Sequence, residues 1–152
     1  MAVFEHRQVI PRPVETVFDF FTRTENLMEL SSPDMGLVFT AAPETITEGA
    51  RLEFRVQGFG QVRDIVHEVI EFERPRRYLE QMVNGPMPRW VHEHVFEAVD
   101  GEAVVHDRID FEPPGGILGI FLTENKILES LEDGFLHRER VVERMIQEGL
   151  IS

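Results

Sequence analysis

Cysteine is absent from this chain of 152 residues. That excludes disulfides, thiol redox chemistry, cysteine nucleophiles and zinc–thiolate sites. Basic residues are scarce: 15 Lys and Arg stand against 28 Asp and Glu, for a formal charge of −13. Nucleic-acid binding needs Lys and Arg to neutralise phosphates, so the overall field opposes it, and anionic membranes are disfavoured in the same way. Such acidity serves solubility and is no sign of a cationic ligand. Long apolar runs are also missing. The longest, Ile117 to Leu122, is far too short to span a bilayer, and Met1 to Arg7 lack the basic-then-apolar order of a signal peptide. The expectation is a cytoplasmic protein with no membrane insertion and no nucleic-acid partner. Neither a repeat nor a linker rich in Pro, Gly or Ser divides the chain, so residues 1–152 are expected to form one domain.

Ala2 to Ile10 alternates, ends at Pro11 and reads as a strand. Pro13 suits the first turn of a helix, and Val14, Val17, Phe18 and Phe21 follow at helical spacing. A second short helix is expected over Glu25 to Leu30, stopping before Pro33. Six strands should follow: Leu37–Ala41, Arg51–Val56, Val62–Phe72, Tyr78–Val83, Arg89–Val99 and Ala103–Phe111. Turn signals separate several of them, namely Gly58-Phe59-Gly60, Arg74-Pro75, Asn84-Gly85-Pro86 and Asp100-Gly101. Short connections imply an antiparallel meander. After Pro113 to Gly116, one helix is expected from about Gly116 to Gln147, with an apolar stripe running from Ile120 and Phe121 through Leu131 and Phe135 to Met145 and Ile146. Gly134 sits within it, which points to close packing, a bend, or a ligand approaching the backbone. The fold class is therefore α+β: a seven-stranded curved antiparallel sheet wrapped around a long C-terminal helix, with two short helices after the first strand.

Arg89 to Phe111 is the most informative segment. Asp100-Gly101 signals a two-residue type I′ turn, which pairs Val99 with Glu102 and fixes the register. Phe96 then faces Val105, His94 faces Asp107, His92 faces Ile109 and Trp90 faces Phe111. On the other face Glu93 meets Arg108, an opposite-charge pair. The face that carries Trp90, Phe96, Val105, Ile109 and Phe111 should be buried, and His92, His94 and Asp107 lie on it. A buried carboxylate must be paired or protonated. A His94–Asp107 pair can satisfy two core polar groups, anchor the polar end of a ligand, or act in acid–base catalysis with His94 as base. No nucleophile or second acid is visible. His92, His94, His67 and Asp107 could be arranged around a metal, but no motif fixes that geometry, and no metal or other cofactor is expected. Both parities of Val62 to Phe72 mix apolar and charged residues, which leaves the direction of His67 open; His6 is similarly ambiguous. Gly58-Phe59-Gly60 lacks the spacing and following helix of a nucleotide-binding loop and reads as a hairpin turn.

With these pieces in order, the sequence resembles the SRPBCC superfamily, the group of START domains, birch-pollen-allergen-like proteins and polyketide cyclase/dehydratase-like domains. It is most similar to the group's small bacterial ligand-binding domains, some of which are fused to an epimerase-like dinucleotide domain. Ile10-Pro11-Arg12-Pro13 with Val17-Phe18 resembles the family's first strand-to-helix passage. Gly85-Pro86-Met87 with Trp90, His92, His94 and Phe96 resembles the next signature. Asp107 to Phe111, then Pro114, Gly116, Leu118 and Gly119, and finally Phe135 and Arg138 complete it. Met87 stands where an aromatic residue is expected, and Val62 to Phe72 has no Trp. The Rieske cysteines of the superfamily's oxygenases and the allergen-type glycine-rich loop are absent. The resemblance implies a helix-grip fold with a cavity between sheet and C-terminal helix, and no single activity.

The residues expected to line such a cavity are Trp90, His92, His94, Phe96, Asp107 and Ile109 from the hairpin. Phe54 and His67 should join them from earlier strands, and Leu131 and Phe135 from the last helix. The expected function is binding of a small hydrophobic or amphipathic molecule. Alternatives are a cyclase- or dehydratase-type enzyme using His94 and Asp107, and a protein-interaction module with a filled interior and an exposed apolar patch. A homodimer is compatible with each.

Overall fold

The computed structural model describes every residue except Phe59. Alternating residues Ala2–Ile10 form strand β1, and the chain turns through Pro11 and Pro13 into helix α1, Val14–Phe21, which buries Val17, Phe18 and Phe21. Helix α2 follows at Thr24–Leu30. Six more strands are β2 (Val38–Ala41), β3 (Arg51–Gly58), β4 (Gln61–Glu73), β5 (Arg77–Asn84), β6 (Arg89–Val99) and β7 (Glu102–Glu112). They form one seven-stranded antiparallel sheet in the order β1-β7-β6-β5-β4-β3-β2. A meander thus runs from β2 to β7, and β1 closes the far side by pairing with β7 from Ala2 opposite Phe111 to Ile10 opposite Ala103.

The register of β6 and β7 is the one the turn dictates. Asp100 and Gly101 have φ of 52° and 81°, as a type I′ turn requires, and Val99 pairs with Glu102. Counting from there, Phe96 opposes Val105, His94 opposes Asp107, His92 opposes Ile109 and Trp90 opposes Phe111. Glu93 and Arg108 oppose each other along the backbone, yet their side chains choose other partners. Glu93 accepts from Arg77 at 2.9 Å, and Arg108 reaches Asp110 at 3.3 Å.

Strand β4 shows why its inward face is illegible in the sequence. Its pairing with β5 shifts between Val66 and His67 and again between Val69 and Glu71. The first leaves Val83 of β5 without a partner and the second Ile70 of β4, so the alternation of β4 is interrupted only after Val69. Ile65, His67 and Val69 are buried on one face of β4, and Val66, on the other, is buried too. The hairpin before it closes with Gly58 opposite Gln61; Phe59, within the expected Gly58-Phe59-Gly60 turn, lies outside the described residues.

The C-terminal helix is not continuous from Gly116. It divides into α3, Gly116–Phe121, and α4, Glu124–Gln147. Thr123 causes the break: its side-chain oxygen accepts the Lys126 amide at 3.3 Å and caps a new helix, with Glu124 in the first turn. Ile120 and Phe121 thereby leave the apolar stripe and are 69% and 60% exposed. Gly119 is required in α3, where a β-carbon would collide with the Pro114 carbonyl oxygen.

Buried apolar residues fall into two clusters. One gathers Ile10, Phe18, Phe21, Tyr78, Phe96, Val105, Val142 and Met145 between α1, the sheet and the end of α4. The other gathers Ala2, Ile109, Phe111, Leu122, Ile127 and Leu131 around the start of α4.

The break in the helix has a measurable consequence. Ile127 is 3% exposed, so Ile127→Ala is expected to cost about 2–5 kcal/mol in urea unfolding. Ile120→Ala, in what reads as the same stripe, should change stability by less than about 0.5 kcal/mol. Equal losses at the two positions would mean that α3 is packed after all.

Candidate functional site

Between the two apolar clusters lies a band of polar side chains, one level on each inward-facing element. Along β6 the order is Phe96, His94, His92, Trp90; along β7 it is Val105, Asp107, Ile109. In β5, Glu80 sits between Tyr78 and Met82, and in β4 His67 sits between Val69 and Ile65. On α4, Arg138 lies between Phe135 and Val142. The band continues to β1, where His6 opposes Asp107 along the backbone and its Nε2 lies 3.3 Å from Glu139.

Asp107 is 1% exposed, and its carboxylate has three partners. His92 Nε2 donates to it at 2.8 Å, and His94 Nδ1 stands at 3.3 Å. Arg138 donates to both oxygens from the helix side, with Nη1 at 3.4 Å. Glu80 is the second buried anion. His94 Nε2 donates to Oε1 at 2.7 Å and His67 Nδ1 to Oε2 at 3.1 Å. The rings of Tyr78, His94 and His92 form a stacked column, with centroid spacings of 3.9 and 3.6 Å. The Arg138 guanidinium lies 4.4 Å from the centre of the Phe135 ring.

Charges follow from these contacts. Burial works against ionisation of Asp107, but the Arg138 charge and the hydrogen bonds from His92 and His94 outweigh it and hold the carboxyl well below its usual range. Glu80 is likewise opposed by burial and held well below its usual range by His67 and His94. His94 loses from burial, yet hydrogen bonds to Asp107 and Glu80 raise its pKa above the ordinary value. Both of its nitrogens face carboxylates, so both must donate and the ring is an imidazolium. His92 is pulled down to about 4, chiefly by burial and then by the neighbouring His94 charge. Two anions therefore meet two cations, His94 and Arg138.

A recess of about 180 Å³ opens beside this band, between β3–β5, the start of β6 and α4. Phe54, Ile65, Met82, Trp90, Ile127 and Leu131 form its apolar wall, and His67 is the member of the polar band that borders it. Two adjoining recesses, of about 310 and 140 Å³, share Met35 and Ser130 with it. Gly134 borders both of these, and a β-carbon there would meet none of the described residues within 4 Å, so this glycine is not explained by close packing.

Of the residues expected at a ligand site, Phe54, His67, Trp90 and Leu131 border the 180 Å³ apolar recess, and Phe135 borders the neighbouring 140 Å³ one. His92, His94 and Asp107 belong to the polar band behind it. Phe96 and Ile109 are packed in the two apolar clusters and do not border these recesses. Sequence reasoning missed Glu80 as a site residue and gave Arg138 no site role. Glu80, His92 and His94 also place three potential ligand atoms within 4.8 Å of one another. All three are already engaged in the hydrogen bonds above.

The curved sheet gripping α4 is the helix-grip architecture. It is similar to the protein TTHA0849 from Thermus thermophilus, with TM-score 0.72 at 18% identity over 94% of this chain and 98% of that one. A solution structure from Arthrobacter aurescens gives TM-score 0.72 at 12% identity, covering 93% of this chain and 86% of that one. Ara h 8.0201 gives 0.62 at 14%, covering 94% and 98%. No curated protein matches by sequence. Residues 1–150 match the family described as polyketide cyclase / dehydrase and lipid transport, and the chain belongs to that family. Among the described residues, no helix is long and apolar enough to cross a membrane.

The charge band predicts a pH profile. Unfolded, His92 takes up a proton near pH 6.5; folded, it does so only near 4. Stability should therefore fall as pH drops through that window, by up to about 1.4 kcal/mol per unit. The raised His94 contributes in the opposite sense: its stabilisation is complete below its unfolded value and fades as pH rises through the folded one. Urea unfolding at a series of pH values should show a maximum near neutrality. Below about pH 5 the depressed Asp107 and Glu80 add to the loss, so His92→Gln should flatten the acid limb only between about pH 6.5 and 5 and spare the alkaline one, and an unchanged slope in that range would contradict the assignment.

Proposed function

We propose that this protein binds a small, largely apolar molecule in the recess between β3–β5 and α4. The observation that carries the reading is the recess itself: an apolar wall of Phe54, Ile65, Met82, Trp90, Ile127 and Leu131 at the edge of a buried polar band. An apolar hollow with few polar groups at one end is the usual form of a small-molecule site. Membership of a polyketide cyclase, dehydrase and lipid transport family supports the same reading.

The alternatives have less behind them. A cyclase or dehydratase using His94 as base would need one of its nitrogens free, and both face carboxylates. An interaction module would draw on Ile117, Ile120 and Phe121, which are exposed on α3, but it leaves the recess without a purpose.

Trp90, the sole tryptophan, borders the recess and provides the test. An environment-sensitive naphthalene sulfonate dye should bind at one site per chain, perturb Trp90 emission, and be displaced by a medium-chain alcohol. Ile65→Phe should weaken dye binding about ten-fold or more by filling the hollow, with the circular dichroism unchanged. Failure of any apolar probe to alter Trp90 emission or to be retained in native mass spectrometry would count against the binding function.

A further inference from the structure

Most polar atoms of the band are satisfied, and one exception belongs to the residue that borders the recess. His67 has 8% of its side chain exposed, and it gives Nδ1 to Glu80. Its other ring nitrogen, Nε2, is buried without a hydrogen-bond partner among the described residues. The proton inventory decides what that nitrogen offers. Glu80 is an ionised carboxylate and can only accept, so Nδ1 of His67 must carry a proton. The two cations required to balance Glu80 and Asp107 are already present in His94 and Arg138. A third in the same buried volume would have no counter-charge. His67 is therefore the neutral tautomer protonated at Nδ1, and Nε2 is a bare lone pair.

Resting on the binding function proposed above, we infer that the ligand carries a hydroxyl group and that this group donates to Nε2 of His67. An apolar body fills the recess, and the hydroxyl meets the one member of the polar band that borders it. Glu80 is a positioning residue, because it fixes which nitrogen of His67 is free. The same geometry disfavours other lipid-like molecules. An ether or ketone offers only acceptors to a lone pair. A carboxylate does the same and brings another negative charge toward Glu80. The class that Nε2 of His67 selects is thus apolar alcohols or phenols, while Arg63, which also lines the recess, is the group an anion would use.

The isomers 1-octanol and 1-methoxyheptane differ in having or lacking a donor, while size and composition are equal. Titrated into the unmodified protein near pH 7, with Trp90 emission and calorimetry as readouts, octanol is expected to bind about ten-fold or more tightly than the ether. His67→Phe should abolish the preference by weakening octanol while sparing the ether. Glu80→Gln can donate to Nδ1 and so reverse the tautomer; it should shrink the preference or invert it, an effect that mere loss of packing would not produce. If both isomers bind the unmodified protein equally, the hydroxyl assignment is overturned and the apolar site stands. If neither binds, the site itself is wrong, and this inference falls with it.

Discussion

A carboxylate cannot be removed from water alone, and Asp107 is almost wholly removed. Meeting that constraint organises the interior. Arg138 must come from the helix, His92 and His94 from the adjoining strand, and Glu80 from the next one to balance the resulting charge. The contacts tie α4 to the middle of the sheet by directional bonds, where apolar packing alone would tolerate sliding. Such a band is not in itself a source of great stability, since desolvating four charges offsets much of what their attraction returns. What it supplies is register between helix and sheet.

Much of this is legible in the sequence, for identifiable reasons. Asp100-Gly101 admits one turn geometry, and everything in β6 and β7 follows by counting. Arg138 could have been found: Leu131, Phe135, Arg138, Val142 and Met145 follow steps of four and three along one face of α4, so an arginine occupies a core position. Glu80 offered a weaker sign, as a lone charge between Tyr78 and Met82, because β5 mixes polar and apolar residues on both parities. The face of His67 was beyond reach, since both parities of Val62 to Phe72 mix apolar and charged residues and the bulge at Ile70 interrupts the alternation beyond Val69. The break at Thr123 was hidden by Ile120 and Phe121, which extend the apolar pattern at helical spacing without being buried.

The relation between band and recess explains how one interior serves two purposes. On the α1 side, Phe18, Tyr78 and Phe96 interlock at edge-on and stacked angles in a filled core. On the opposite side, the start of α4 stands off from β3 and β4 and leaves the recess. His67 belongs to both regions, bonded to the band through one nitrogen and bordering the recess with its ring. Ligand chemistry can therefore be read by a residue whose tautomer is set from the solid side.

That division also bears on how the molecule responds to compression. Unfolding under pressure is favoured by the void volume it eliminates, so whatever part of the recess water does not fill makes the hollow half the more sensitive to pressure. The polar band lies at the boundary between them. A squeezed molecule would yield first where α4 stands away from the sheet, with Val142 and Met145 still anchored beyond Arg138. Whatever occupies the hollow would remove that compressibility along with the space.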